Sequence, residues 1–326
     1  MLSRVANSIY WVNRYIERAE NYARFMGVNF SLALDLPPEV PPQWEPLIIT
    51  MAEEKTFRAL YETPTRENVV QYMTFDTRNP NSILSCLWAA RENARSVRES
   101  ISREMWEHLN QLYLRVRDSA ASRSRDLNEL QDFFTEIKLG SQLFFGIVDS
   151  TITRNEGWHF GRVGRFLERA DKTSRFVDVK YFILLPDPAA VGSAIDLLQW
   201  TAVLKSASAY NMYRQAYSVI TPAHIVEFLF LDKRFPRSAI HCLRQAETSL
   251  YEISGTSLTG RYSNPAEKKL SKLCSEFEFV DVKEIFDLGL HQFIDQFQSR
   301  NNEVAAEIHS TFFALKPVKE GAKVES

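Results

Sequence analysis

The sequence predicts an all-α protein, a helical bundle built from a tandem duplication with pseudo-twofold symmetry. Three observations lead there. Glycine numbers 11 in 326 residues, about half the ~7% usual in globular chains, and sheets with their turns and phosphate loops need more. Apolar residues recur at steps of three and four along most of the chain, with no sustained alternation and no Asn-Gly or Asp-Gly hairpin turn. Two segments of the first half return, in the same order, in the second.

The helices follow from spacing and punctuation. Val5, Ile9, Val12, Tyr15, Ala19, Tyr22, Ala23 and Met26 gather on one face of a helix running to Phe30. Arg14, Glu17, Arg18, Asn21 and Arg24 gather opposite. The proline-rich stretch DLPPEVPP at 35–42 ends that helix. Further helices are predicted at 43–62, 66–75, 82–100, 102–121, 127–152 and 157–184. After Leu185-Pro186 come 189–208, 210–218, 222–231, 237–254, 265–278 and 283–314. The last residues, 315–326, are polar and read as a frayed tail.

The repeat is specific. RYIERAENYARFMGV (14–28) and RFLERADKTSRFVDV (165–179) share seven of fifteen positions at an offset of 151. YMTFDTRNPNSILSCL (72–87) and FLFLDKRFPRSAIHCL (228–243) agree at Asp76/Asp232, Arg78/Arg234, Pro80/Pro236, Ser82/Ser238, Cys86/Cys242 and Leu87/Leu243, at an offset of 156. The chain therefore divides into repeats at 1–152 and 153–314, sharing a core, with the tail beyond.

Agreement between Phe25 and Phe176 is what core packing demands. Agreement at Arg14/Arg165, Glu17/Glu168, Arg18/Arg169 and Arg24/Arg175 is unexpected on an exposed face, where substitutions usually change stability by within about 0.5 kcal/mol. Three readings stand side by side: an ion-pair network between packed helices, a shared polar site that meets a ligand, and a solvated face. On a helix surface the Glu20–Arg24 and Asp171–Arg175 pairs at i,i+4 would contribute only about 0.2–0.5 kcal/mol each. A pseudo-twofold axis would let Glu17 reach Arg169 and Glu168 reach Arg18 reciprocally. Guanidinium forks so placed suit a carboxylate or phosphate, and Glu17 or Glu168 would be the candidate general base.

The Asp-x-Arg-x-Pro-x-Ser segments at 76–82 and 232–238 read as helix connectors, with Arg78 and Arg234 as secondary ligand candidates. Arg91, Glu92, Asn93 and Arg95 form a polar cluster that the second half does not repeat, so Arg91, Asn93 and Arg95 join the binding candidates.

Composition narrows the class. Lys plus Arg is 39 against 41 Asp plus Glu, a formal charge of −2, which gives no basic excess for nucleic acid. The densest basic run, Arg115 to Arg125, is interrupted by Asp118 and followed by Asp126. Cys86, Cys242 and Cys274 form no CxxC, and Cys86 and Cys242 sit among apolar residues as small core side chains. Charges at residues 4, 14, 17, 18 and 20 exclude a signal peptide, and no apolar run approaches a membrane span. A cytoplasmic location is expected. Nucleotide-loop and nucleophile-elbow motifs are absent, and Glu156-x-x-His159 alone has di-metal spacing, so no metal or cofactor is expected.

YIERAEN (15–21), FLERAD (166–171), NPNSILSCLWAARENARSVRESIS (79–102), MWEHLN (105–110) and FPRSAIHCL (235–243) together resemble the alpha-E family of bacteria, named for its Glu-Arg motif in a helical domain. The likeness covers the chain except its tail. It implies a partner of a circularly permuted ATP-grasp ligase and a transglutaminase-like protease, working on a peptide-like amide product. Only Glu17-Arg18 and Glu168-Arg169, with Arg14, Arg24, Arg165 and Arg175, carry over as motif positions. The expected function is a non-catalytic or co-catalytic helical subunit offering an Arg/Glu-lined site for a carboxylate, phosphate or peptide. An enzyme in its own right, or a scaffold with buried ion pairs, are the alternatives.

Overall fold

The computed structural model describes residues 1–120, 127–183, 191–258 and 262–314. The Leu185-Pro186 break, the end of the basic run at Arg123 and Arg125, and the polar tail lie outside them. Every regular element described is helical: α1 (Ser3–Asp35), α2 (Glu45–Thr50), α3 (Glu54–Arg58), α4 (Arg66–Val70), α5 (Ile83–Ser96), α6 (Arg103–Ala120), α7 (Leu127–Thr151) and α8 (Glu156–Phe182). Then follow α9 (Ala194–Ser206), α10 (Tyr210–Ala216), α11 (Pro222–Val226), α12 (Ala239–Ser254), α13 (Pro265–Phe279), α14 (Val282–Leu288) and α15 (Leu290–Ile308). Single π-helical turns extend α4 (Gln71–Phe75), α11 (Glu227–Leu231) and α15 (His309–Phe313).

Two expected helices are divided. The 43–62 segment stops at Ala52, whose φ of 59° is left-handed; the Ala52 N–H donates to Ile49 O and the Glu53 N–H to Ile48 O, closing α2 before α3 begins. The 283–314 segment breaks at Gly289, where φ is 97° and glycine carries no Cβ penalty.

The long helices α1 and α8 lie at the centre, packed along each other and pointing the same way: Ile9 faces Gly157, Arg14 meets Glu168 and Phe25 meets Phe176. α5 and α7 cover the rest of α1, and α12 covers α8. The close crossing depends on small residues. A Cβ on Gly164 would sit 2.4 Å from the backbone oxygen of Tyr10, a contact no side-chain shift can relieve.

From Gly157 to Val179 almost every face of α8 is buried. The polar side of α1, which spacing alone would leave to water, is buried too: Arg14, Glu17, Asn21 and Arg24 face inward. Apolar packing therefore flanks a polar stripe that must satisfy itself, because an unpaired charge out of water is costly.

Local features recur 156 residues apart. Ser208 repeats the left-handed turn of Ala52, at φ 51°. Phe57 and Tyr61 stack with centroids 5.2 Å apart, and Tyr213 and Tyr217 at 5.0 Å. Tyr72 stands edge-on to Phe57 as Phe228 does to Tyr213. Ser82 and Ser238 each cap the following helix, accepting from the backbone N–H of Ser85 and His241 at 3.2 Å.

Candidate functional site: the buried glutamate–arginine seam

The polar stripe is a reciprocal ion network. Glu17 is gripped through both oxygens by Arg169, with Nε to Oε1 at 2.9 Å and Nη2 to Oε2 at 2.7 Å. Glu168 is held by Arg18, with Nε to Oε1 at 2.6 Å and Nη2 to Oε2 at 3.0 Å. Arg14 adds a bond to Glu168 Oε2 at 2.9 Å and passes a third donor to the Tyr10 hydroxyl at 2.9 Å. Arg24 and Arg175 close on Glu20 and Asp171 within their own helices. Those i,i+4 pairs are buried, so the surface value expected for them from spacing does not apply.

Each central carboxylate also meets a third cation, and the two arrive by different routes. At Glu17 it is Arg237, from the turn before α12, which donates to Glu17 Oε1 at 3.1 Å and Glu20 Oε1 at 2.6 Å. At Glu168 it is Lys172 of α8 itself, 3.5 Å from Oε1 and 2.9 Å from Asp171 Oδ2. The positions are exchanged: Asn21 stands 151 residues before Lys172, and Asn81 stands 156 before Arg237. Asn21 donates to Glu17 and accepts from Arg237, while Asn81 accepts from Arg18.

Glu17 and Glu168 are both 0% exposed. Burial alone would push their carboxyls up. Arg169 and Arg237 around Glu17, and Arg18, Lys172 and Arg14 around Glu168, overcome it and hold both well below the usual carboxylate range. A general base needs an affinity for protons near the working pH and a path for substrate. Both carboxylates instead stay ionised in closed ion pairs, which is the outcome that weighs against their use as catalytic bases.

The eight motif residues, Arg14, Glu17, Arg18, Arg24, Arg165, Glu168, Arg169 and Arg175, are thus brought to one seam. Arg165 belongs to it only loosely, its Nε 3.7 Å from Glu17 Oε2. The other candidates lie elsewhere. Arg78 pairs with Asp76 at 2.7 Å, and burdened by Arg78 and the Tyr61 hydroxyl that carboxyl is lowered to about 2. Arg234 uses its backbone N–H to bond Asp232, and its side chain is exposed. Arg91 bonds Asn110 and Glu92, Arg95 bonds Glu92, and Asn93 donates to Ala89 O, a half-exposed cluster on α5.

Arg237, Lys172 and Asn21 are the participants that identity between the segments missed. Their signal is complementary difference: Asn and Lys trade at one matched position, Asn and Arg at the other. Cys86 and Cys242 are buried, and burial pushes both thiols up to about 12. Among the described residues, no group of three or more His, Cys, Asp or Glu could hold a metal ion, and no helix is long and apolar enough to cross a membrane.

Beside the Arg18 end of the seam lies an open groove of about 620 Å³, lined by Tyr15, Pro80, Leu84, Trp88, Tyr113 and Arg117 among others. Trp88 is 53% exposed there.

This chain is similar over 291 residues to an uncharacterized protein of Mycobacterium bovis and to two of Mycobacterium tuberculosis, each 21% identical and covering 83% of this chain. The chain spans about a third, 32%, of the length of those curated relatives. No solved structure matches. The family model that matches residues 1–313 describes a predicted alpha-helical domain with a conserved ER motif, the Glu-Arg pair found here at both centres of the seam. The chain belongs to the Alpha-E family.

Proposed function

We propose that this chain is a non-catalytic helical partner subunit of an amide-ligase system of the circularly permuted ATP-grasp type, in which the glutamate–arginine seam welds two duplicated halves into one rigid body. The observation that carries the reading is the closure of Glu17 and Glu168, which leaves the motif holding the fold together while the outer surfaces meet partners. A buried ion network specifies a pairing geometry more than it adds stability.

Recurrence of the Ala52/Ser208 turns, the stacked ring pairs and the Ser82/Ser238 caps at one fixed offset supports the duplication and its pseudo-twofold relation. In the mycobacterial relatives the matched segment is a minor part of a longer chain, which supports a unit that works alongside others. The groove at Tyr15, Trp88 and Tyr113 is the surface best suited to a peptide-like ligand or partner segment, since exposed aromatic walls gain most on contact.

The test reconstitutes the ligase and transglutaminase-like protease associated with the family, with and without this chain. Amide product should depend on the chain. Trp88→Ser should reduce it at least tenfold while the variant melts within a few degrees of the parent. Product formed equally well without the chain overturns the partner role.

A further inference from the structure

Arg14 and Arg165 occupy matching places 151 residues apart, yet their surroundings differ in one respect. Arg14 spends three donors, two on Glu168 and one on Tyr10. Arg165 makes no hydrogen bond among the described residues. Glu17 is already taken by Arg169, Arg237 and Asn21, and Gly161 stands where the Tyr10 hydroxyl would be. The Arg165 Nε is buried without a hydrogen-bond partner, Glu17 Oε2 lying 3.7 Å away, and its guanidinium carbon is 3.7 Å from the Phe145 ring centroid.

The cation is not isolated. Eight cations (Arg14, Arg18, Arg24, Arg165, Arg169, Lys172, Arg175 and Arg237) share the seam with four carboxylates (Glu17, Glu20, Glu168 and Asp171). Burial and the neighbouring Arg169 push Arg165 down to about 10, and burial and Arg24 do the same to Arg237. Of the eight, Arg165 alone makes no hydrogen bond among the described residues.

Arg165 also lines a cleft between α1, α7 and the start of α8. Arg162 lines it as well, set over the Trp158 ring at 4.6 Å with its Nε and Nη2 donating to Ser249 and Gln245, and the Trp158 indole N–H is a second buried donor without a hydrogen-bond partner. Asp149 is the one carboxylate among the lining residues and sits on the exposed rim. The enclosed part offers about 20 Å³, room for one water-sized group, with Ile9, Ile101 and Ile152 forming apolar walls around it.

We propose that this cleft binds a carboxylate group attached to an apolar body, one carboxylate oxygen entering the enclosed part, with the Arg165 guanidinium as its counter-charge and the Trp158 indole as a further donor. The isoleucine walls suit the apolar body, which inorganic phosphate lacks. Two buried donors without hydrogen-bond partners, one of them a cation, would give a desolvated anion a charge-assisted bond of the strong kind. This site is separate from the groove at Tyr15, Trp88 and Tyr113, with which it shares no lining residue, and the proposal does not rest on the ligase association.

The test uses the full chain labelled with ¹⁵N and follows the Trp158 indole and Arg165 Nε–H resonances at constant ionic strength. Probes are N-acetyl-leucine, its neutral amide, and inorganic phosphate. The acid should shift both resonances saturably, the amide and phosphate should not, and Arg165→Gln should weaken acid binding at least tenfold with Arg91→Gln unchanged. Equal response to acid and amide, response to phosphate alone, no response to any probe, or an Arg165→Gln titration like the parent's each overturns it. Should Arg165→Gln fail to fold, Trp158→Phe, read at the Arg165 Nε–H, and the acid-against-amide difference in the parent decide. Because no partner protein is present, failure here leaves the ligase-partner reading to its own test.

Discussion

Arg169 of α8 meets Glu17 of α1 side-on, two parallel N–H···O bonds of 2.9 and 2.7 Å joining residues 152 positions apart. Removing either side alone strands a buried charge, which costs about 3–5 kcal/mol. Removing both strands less. In a cycle of Glu17→Ala, Arg169→Ala and the double variant, denaturant melts should give a coupling of about 2 kcal/mol or more. A coupling near zero would mean the bidentate pair does not link the halves.

Acid should loosen the seam. Glu17, Glu168 and Asp171 have folded pKa values below their unfolded ones, held there by arginine and lysine neighbours that overcome burial. Such groups stabilise the fold fully above the unfolded carboxylate values near ~4 and lose that contribution as pH falls further. Asp76, lowered to about 2, gives way across the interval from ~4 to that value. The melting temperature should therefore be flat from pH 7 to about 5 and drop steeply below ~4. A midpoint of loss near pH 6 would point to histidine instead.

Gly164→Ala should be costly although alanine favours helices. Its Cβ would lie 2.4 Å from the Tyr10 carbonyl oxygen, so α1 and α8 would have to part. The expected loss is about 1–3 kcal/mol, the usual range for overpacking. Gly146→Ala, with nothing within 4 Å of the added carbon, serves as the control and should be neutral or stabilising. Thermal or urea melts of the two variants make the comparison.

The three cysteines should be silent in the native protein. Cys86, Cys242 and Cys274 are buried, and burial raises all three thiols. Ellman's reagent at pH 8 should modify none of them on the timescale of minutes and all three in denaturant. Fast native reaction of one thiol would mark a local opening at its helix.

Much of this is legible in the sequence. Low glycine, the 3.6-residue spacing and the capping serines placed the helices, because propensity and punctuation are local properties. Ala52 was not legible as a break, since nothing in its type favours left-handed backbone. The reciprocal pairing of Glu17 with Arg169 and Glu168 with Arg18 followed from symmetry once the matched segments were seen. The burial of that face did not: a stripe of arginine and glutamate on α1 resembles a solvated surface until α8 is laid against it. Arg237 is not legible from identity between the matched segments, because its contribution lies in a difference.

That difference makes the two matched segments non-interchangeable. Suppose two copies of the first half were paired as a homodimer. Asn21 and Asn81 would then face each central glutamate, and neither would have its third cation. Two copies of the second half would crowd Lys172 and Arg237 around each glutamate together. Only the mixed pair supplies one of each. Each central glutamate thus draws its third cation by its own route, Arg237 from the turn before α12 and Lys172 from α8 itself, so exchanging the two matched segments would leave one glutamate short of a cation and the other with one too many.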